Sequence, residues 1–187
     1  MAKPVNSDEI TLEGSDELRE VALEMTLNCH RNLDIISRHL DPVIFDNQAF
    51  ANAVKLIALN NRAARIRLLV MDVAPVISRG HRLLELASRL SSFITIRKPS
   101  RDYKHFNEAM LLADNNTYIH RRLADRYDGI ATTTRFVARR TSKADLRKYG
   151  NAQKLTGIFG AYISNVSETA NNSRRFNHFF ALRGSAG

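Results

Sequence analysis

The sharpest chemistry in this 187-residue chain sits around Asp72. Asp72 closes the apolar run RIRLLVMD, and Arg79, His81 and Arg82 follow it closely. In open α/β sheets, ligands gather outside the carboxyl ends of strands. A helix that opens just after such a strand adds free N–H groups and positive potential, which suit an anion. Asp72, Arg79, His81 and Arg82 therefore form a candidate site for a phosphate or carboxylate. A carboxylate at Asp72 would favour the charged form of His81. The plainer reading is an Asp72–Arg or Asp72–His pair that fixes the strand-to-helix turn.

A second candidate is electrostatic. The chain carries a formal charge of +9, and residues 131–150 hold Arg135, Arg139, Arg140, Lys143, Arg147 and Lys148 against Asp145 alone. Such a stretch attracts phosphate-rich partners, weak nucleic-acid binding among them. Phe136 and Tyr149 are its only aromatics for base stacking. The plainer reading is a solvated face that serves solubility.

Other chemistry is missing. The sequence has no G-x-x-x-x-G-K-[ST] loop, no G-x-G-x-x-G fingerprint, no G-x-S-x-G elbow and no H-E-x-x-H. One cysteine, Cys29, builds neither a disulfide nor a zinc site, and adjacent His30 does not face it on a helix. Cys29 reads as a buried structural residue. No metal or cofactor is expected.

The elements that would position these residues can be read from periodicity. Residues 1–14 read as a flexible arm. From Ser15, Leu18, Val21, Ala22 and Met25 keep one apolar helical face, with Asp16, Glu17 and Glu20 suiting the dipole of the first turns. Leu33–Ser37 reads as a strand, Asp41-Pro42 as a turn, and Asp46 as the cap of a helix carrying Phe50, Val54, Ile57 and Ala58. RIRLLVMD reads as a buried central strand with helices on both faces of its sheet. A helix opens at Ser78-Arg79-Gly80 and buries Leu83, Leu86, Ala87 and Leu90. Phe93–Arg97 is the next strand, and Arg89 and Arg97 read as surface ion-pair formers. Ala109–Asp114 and Thr117–Arg121 flank Asn115-Asn116 as a hairpin. Leu155, Ile158, Phe159, Tyr162, Ile163 and Val166 give a late helical stripe.

Composition bounds the class. The 44% apolar and 25% charged content is that of a globular protein, and the length suits one domain. No apolar run reaches the ~20 residues of a membrane span, and no apolar signal segment opens the chain. The expectation is a cytoplasmic, single-domain α/β protein.

Three stretches carry a family resemblance: LDIISRHLDPVIFDNQAF, RIRLLVMDVAPVISRGHRLLELASRLSSFITIRK and NEAMLLADNNTYIHRR. They resemble a bacterial domain of unknown function with a phospholipase D-like fold, found alone or fused to N-acetyltransferase-superfamily domains. The most specific block is Gly80-His81-Arg82-Leu83-Leu84 through Arg89-Leu90. LTGIFGAYISNVSE with Arg174-Arg175 is similar to the closing helix of that family, though without its tryptophan. The resemblance implies a phospholipase D-like layered mixed sheet flanked by helices over 15–176, with 131–150 a basic elaboration and 177–187 an irregular tail.

Active enzymes of that fold carry H-x-K-x-x-x-x-D, in which histidine attacks phosphorus and lysine holds phosphate oxygens. Aligning Asp114 to the aspartate places Asn107 at the histidine and Ala109 at the lysine. An amide is no substitute for the nucleophilic imidazole, and a methyl cannot hold phosphate charge. His105 lies two residues out of register. The expected protein is therefore a non-catalytic accessory module that binds a ligand, an unidentified protein partner or a second copy of itself, with a link to an acetyltransferase implied by the resemblance. The alternatives are a nucleic-acid-binding module using 131–150 and a cryptic phosphodiesterase using His105.

Overall fold

The structure is a computed structural model, and it describes residues 9–99, 105–115 and 117–132. Its elements run β1 (Glu9–Leu12), α1 (Ser15–Leu27), β2 (Asn32–Ser37), α2 (Pro42–Phe45), α3 (Gln48–Asn60), β3 (Arg65–Val70), α4 (Ala74–Arg79), α5 (Arg82–Arg89), β4 (Ile94–Arg97), β5 (Ala109–Ala113), β6 (Thr117–Arg121) and β7 (Gly129–Thr132). The strands form one seven-stranded mixed sheet in the order β1-β7-β6-β5-β2-β3-β4. β2, β3 and β4 are parallel, and the remaining pairings are antiparallel. The chain is thus a mixed α/β domain with a sheet flanked by helices.

Local sequence accounts for most of these elements. Leu18, Ala22 and Met25 are buried along α1 as their spacing predicts. Asp41 caps α2 by accepting from the Val43 N–H, with Pro42 in the first turn, where a missing N–H costs nothing. Asn47, one residue beyond the expected Asp46, caps α3 through the Phe50 N–H. The β5–β6 hairpin turns through Asp114 (φ 51) and Asn115 (φ 61), residues that tolerate the left-handed region.

Two expectations about elements are corrected. Residues 9–12, placed by sequence in a loose arm, form edge strand β1 against β7, and the Tyr118 hydroxyl donates to Glu9. RIRLLVMD supplies β3, which is interior between β2 and β4 as expected. The helix expected to open at Ser78-Arg79-Gly80 opens instead at Arg82 as α5, and an unexpected helix α4 precedes it and ends at Gly80, whose φ of 77 suits glycine.

Among the described residues the helices pack on one face rather than two. That face contributes Leu12, Leu33, Ile35, Ile66, Leu68, Leu111 and Ile119 to a core shared with Leu18, Phe50, Ile57, Val76 and Leu83. Topology gives the reason. β2→β3→β4 advances in one direction, and successive right-handed crossovers in one direction put their helices on the same side. The opposite face carries Asp34, Ile36, Leu69, Leu112 and Tyr118, all buried, and toward the β4 edge it carries Arg65, Arg67, Thr95 and Arg97.

Candidate functional site

His81 opens α5 as its N-cap. Its Nδ1 accepts from the Leu83 N–H at 3.1 Å, so Nε2 carries the proton and donates to the Leu40 carbonyl at 3.1 Å. The ring is 5% exposed. Burial pushes its pKa below the ordinary imidazole value; the Asp46 carboxylate and the Leu40 carbonyl pull the other way, and Arg79 and Arg82 add to the fall. The charged His81 expected from sequence is thus corrected to a neutral one. The acid facing it is Asp46, which also accepts the Arg82 N–H at 3.0 Å and pairs with the Arg82 guanidinium at 3.2 Å. Asp72 instead accepts the Ala74 N–H at 3.2 Å, and Arg79 donates to the Pro75 carbonyl. The structure brings His81, Arg79 and Arg82 together, adds Asp46, and turns Asp72 to its own helix start.

A prediction follows for His81. His81→Ala should cost about 2 kcal/mol, from the lost cap and the lost bond to Leu40. His81→Asn should recover part of this, because an amide oxygen can still cap Leu83. The depressed pKa means that wild type loses stability as pH falls below the unfolded value of 6.5, and His81→Ala should lack that part of the acid response. Urea melts across pH 5–8 read both effects. An alanine variant with unchanged stability and the same pH curve would remove the cap from the account.

The degenerate motif positions do not meet. Asn107 precedes β5 and accepts from the Arg38 guanidinium at 2.8 Å. Ala109 is buried at the start of β5. Asp114 follows β5, at its other end, where its carboxylate accepts the His30, Arg31 and Asn32 N–H groups at 2.7–2.9 Å. His105 lies exposed ahead of Asn107. Nearby, His120 bonds Glu108 at 2.5 Å, and the buried Nδ1 of His39 has no partner among the described residues. Arg135, Arg139, Arg140, Lys143, Arg147 and Lys148 lie outside the described residues.

Sequence reasoning missed a cleft of about 480 Å³ along β3 and β4. It begins at the loops entering these strands, at Arg62 and Ser92, and runs past Arg65, Arg67, Thr95 and Arg97. Register builds it: Arg67 stands beside Thr95 and Leu69 beside Arg97. Arg67 is held by Asp34, Nε to Oδ1 at 2.6 Å and Nη2 to Oδ2 at 2.5 Å. Arg62, Arg65 and Arg97 have no ion-pair partner among the described residues. The available signal was the alternation Arg65-Ile66-Arg67, which puts both arginines on one strand face.

Among the described residues no group of three or more His, Cys, Asp or Glu side chains could hold a metal ion, and no helix is long and apolar enough to cross a membrane.

Residues 14–151 match a family model described as a domain of unknown function, DUF7931. No curated protein matches the chain. Among solved structures, one similar chain is TrmBL2, an archaeal chromatin protein described with a novel mode of DNA binding. Its TM-score is 0.48 at 14% identity, covering 79% of this chain and 51% of that one, so this chain spans about half the length of TrmBL2. NucT from Helicobacter pylori is similar with a TM-score of 0.49 at 8% identity, covering 84% of this chain and 96% of that one.

Proposed function

This chain belongs to the family of the domain of unknown function DUF7931, and we propose that it is a non-catalytic, phospholipase D-like module that binds a ligand or partner in an accessory role. The observation that carries the reading is the state of the three motif positions. Asn107 spends its side-chain oxygen on Arg38, Ala109 is a buried methyl, and Asp114 spends its carboxylate on backbone N–H groups. A phosphodiesterase of this type needs a nucleophile and a cation on the transferred phosphoryl group, and neither position supplies one. The setting proposed is the cytoplasm, in keeping with a single buried cysteine. The accessory role alongside an acetyltransferase, and the phospholipase D-like relationship itself, come from the family resemblance of the quoted segments.

The expected result is no turnover of bis-nitrophenyl phosphate, phospholipid or DNA by the full chain. Turnover that disappears in His105→Ala would establish the cryptic phosphodiesterase in its place.

A further inference from the structure

The β3–β4 cleft concentrates positive charge beyond the Arg67 that pairs with Asp34. Arg65 and Arg67 share one face of β3, Arg97 stands on the neighbouring strand beside Leu69, and Arg62 closes the entry. Arg65 and Arg67 are two residues apart on one strand, and Arg97 stands diagonal to Arg67 across the β3–β4 pair. Among the described residues no carboxylate lines the cleft. Asp34, beside Arg67 on the paired strand β2, fixes its guanidinium by two parallel bonds. Ser92 and Thr95 add hydroxyl donors along the same wall.

We infer that this cleft binds a small anion carrying two or more linked phosphates, of the size of a nucleoside polyphosphate. The inference rests on the binding-module reading above and names its ligand class and site. Guanidinium groups match phosphate oxygens in bidentate fashion, and each such bond is charge-assisted. A cleft of about 480 Å³ falls in the range of small-ligand sites. Its length selects for more than one phosphate. At about 3.3 Å per residue, the rung of Arg65 lies about 13 Å from the rung of Leu69, beside which Arg97 stands. One orthophosphate engages only part of that row, whereas a linked chain of phosphates engages more of it at once.

The test is a calorimetric titration of the full chain with pyrophosphate, ATP and orthophosphate. Arg65 is exposed and Arg97 half-buried, so both tolerate change, whereas Arg67 is left intact because Asp34 depends on it. Pyrophosphate and ATP should bind saturably and more tightly than orthophosphate. Arg65→Gln and Arg97→Gln should each weaken binding about tenfold, the effect of one lost charge-assisted contact. Arg65→Lys should fall between, keeping the charge and losing the fork. Arg89→Gln, which removes an equal charge at an exposed position of α5, should leave affinity unchanged. Melting curves of each single variant establish that it is folded.

Absence of saturable binding to wild type would overturn the inference and leave the non-catalytic reading standing. Equal losses in Arg89→Gln and the cleft variants would also overturn it, because the effect would then be net charge. A thymidine oligonucleotide that binds and resists displacement by pyrophosphate would overturn it in favour of nucleic acid. Hydrolysis of ATP bound in the cleft would instead break the non-catalytic reading while supporting the site.

Discussion

Arg67→Ala should cost about 3 kcal/mol at neutral pH and regain part of that loss on acidification. Asp34 is 1% exposed, and the structure records Arg67 as its side-chain partner, with two bonds of 2.5–2.6 Å. Removing the guanidinium strands a buried carboxylate, and breaking a buried pair costs about 3–5 kcal/mol. The low end applies because the Arg67 side chain is 36% exposed and water reaches it. The pH response has a definite sign. Burial raises the Asp34 pKa, and the bonds and charge of Arg67 lower it, with burial the larger effect. Without Arg67 only burial remains, so the carboxyl rises further above its unfolded value of 3.8. An acid with a raised folded pKa stabilises the fold at low pH and loses that contribution as pH rises through the folded value. The variant should therefore be weakest at neutral pH and recover toward acid. Asp34→Leu with Arg67→Leu should lie near or above wild type, since an apolar pair has no charge to desolvate. Urea melts at several pH values decide it. A loss below about 1 kcal/mol with no pH dependence would mark an ordinary surface pair.

The same pair explains what the sequence hides. RIRLLVMD reads as an apolar strand, and β3 is one. Its outward arginines become a cleft only when β3 pairs β4 so that Arg67 meets Thr95 and Leu69 meets Arg97. That register is not written in either strand alone. The local signals fared better. Apolar spacing located α1, and Asn115-Asn116 located the hairpin, whose positive φ values fall on Asp114 and Asn115. β1 escaped because Glu-Ile-Thr-Leu is too short to show a pattern, and its partner β7 begins more than a hundred residues later. α4 escaped because its six residues are too few to show a helical stripe.

The site residues were legible as types and not as contacts. Asp72 lies just past the end of β3 and His81 opens a following helix, as expected, but each is turned to a backbone N–H of a helix start. Short-range capping wins there because the partner N–H groups are fixed by the helix and cost little entropy to reach. Asp46 was read as a helix cap and is instead the acid that holds Arg82 and faces His81, a contact across 36 residues. The resemblance placed Asp114 in a catalytic alignment, whereas its geometry makes it a tie between two loops.

That tie gives the second large effect. Asp114→Ala should cost about 3 kcal/mol, because up to three backbone N–H groups lose their acceptor and each unsatisfied group costs about 1–3 kcal/mol, less where water reaches it. The carboxylate joins the β5–β6 turn to the loop between α1 and β2, contacts 82–84 residues apart in the chain. Asp114→Asn keeps a residue that tolerates φ 51 and one acceptor oxygen, and should cost about half as much. Burial alone would raise the Asp114 pKa; the N–H groups of Asn32, His30 and Arg31 overcome it and hold the carboxyl below its ordinary 3.8. A depressed acid stabilises the fold above its unfolded pKa and loses that contribution as pH falls through the folded value. Wild type should therefore show an acid-unfolding limb below about pH 4 that Asp114→Ala lacks. Cys29 gives an independent readout. Its thiol is pushed up to about 12, first by burial and then by the Asp114 charge, and it donates to the Asn32 carbonyl at 3.3 Å. Iodoacetamide should label wild type slowly at pH 8 and label Asp114→Ala much faster as the loop opens. If stability falls but Cys29 stays equally protected, the carboxylate supports the hairpin alone and does not tie the two loops together.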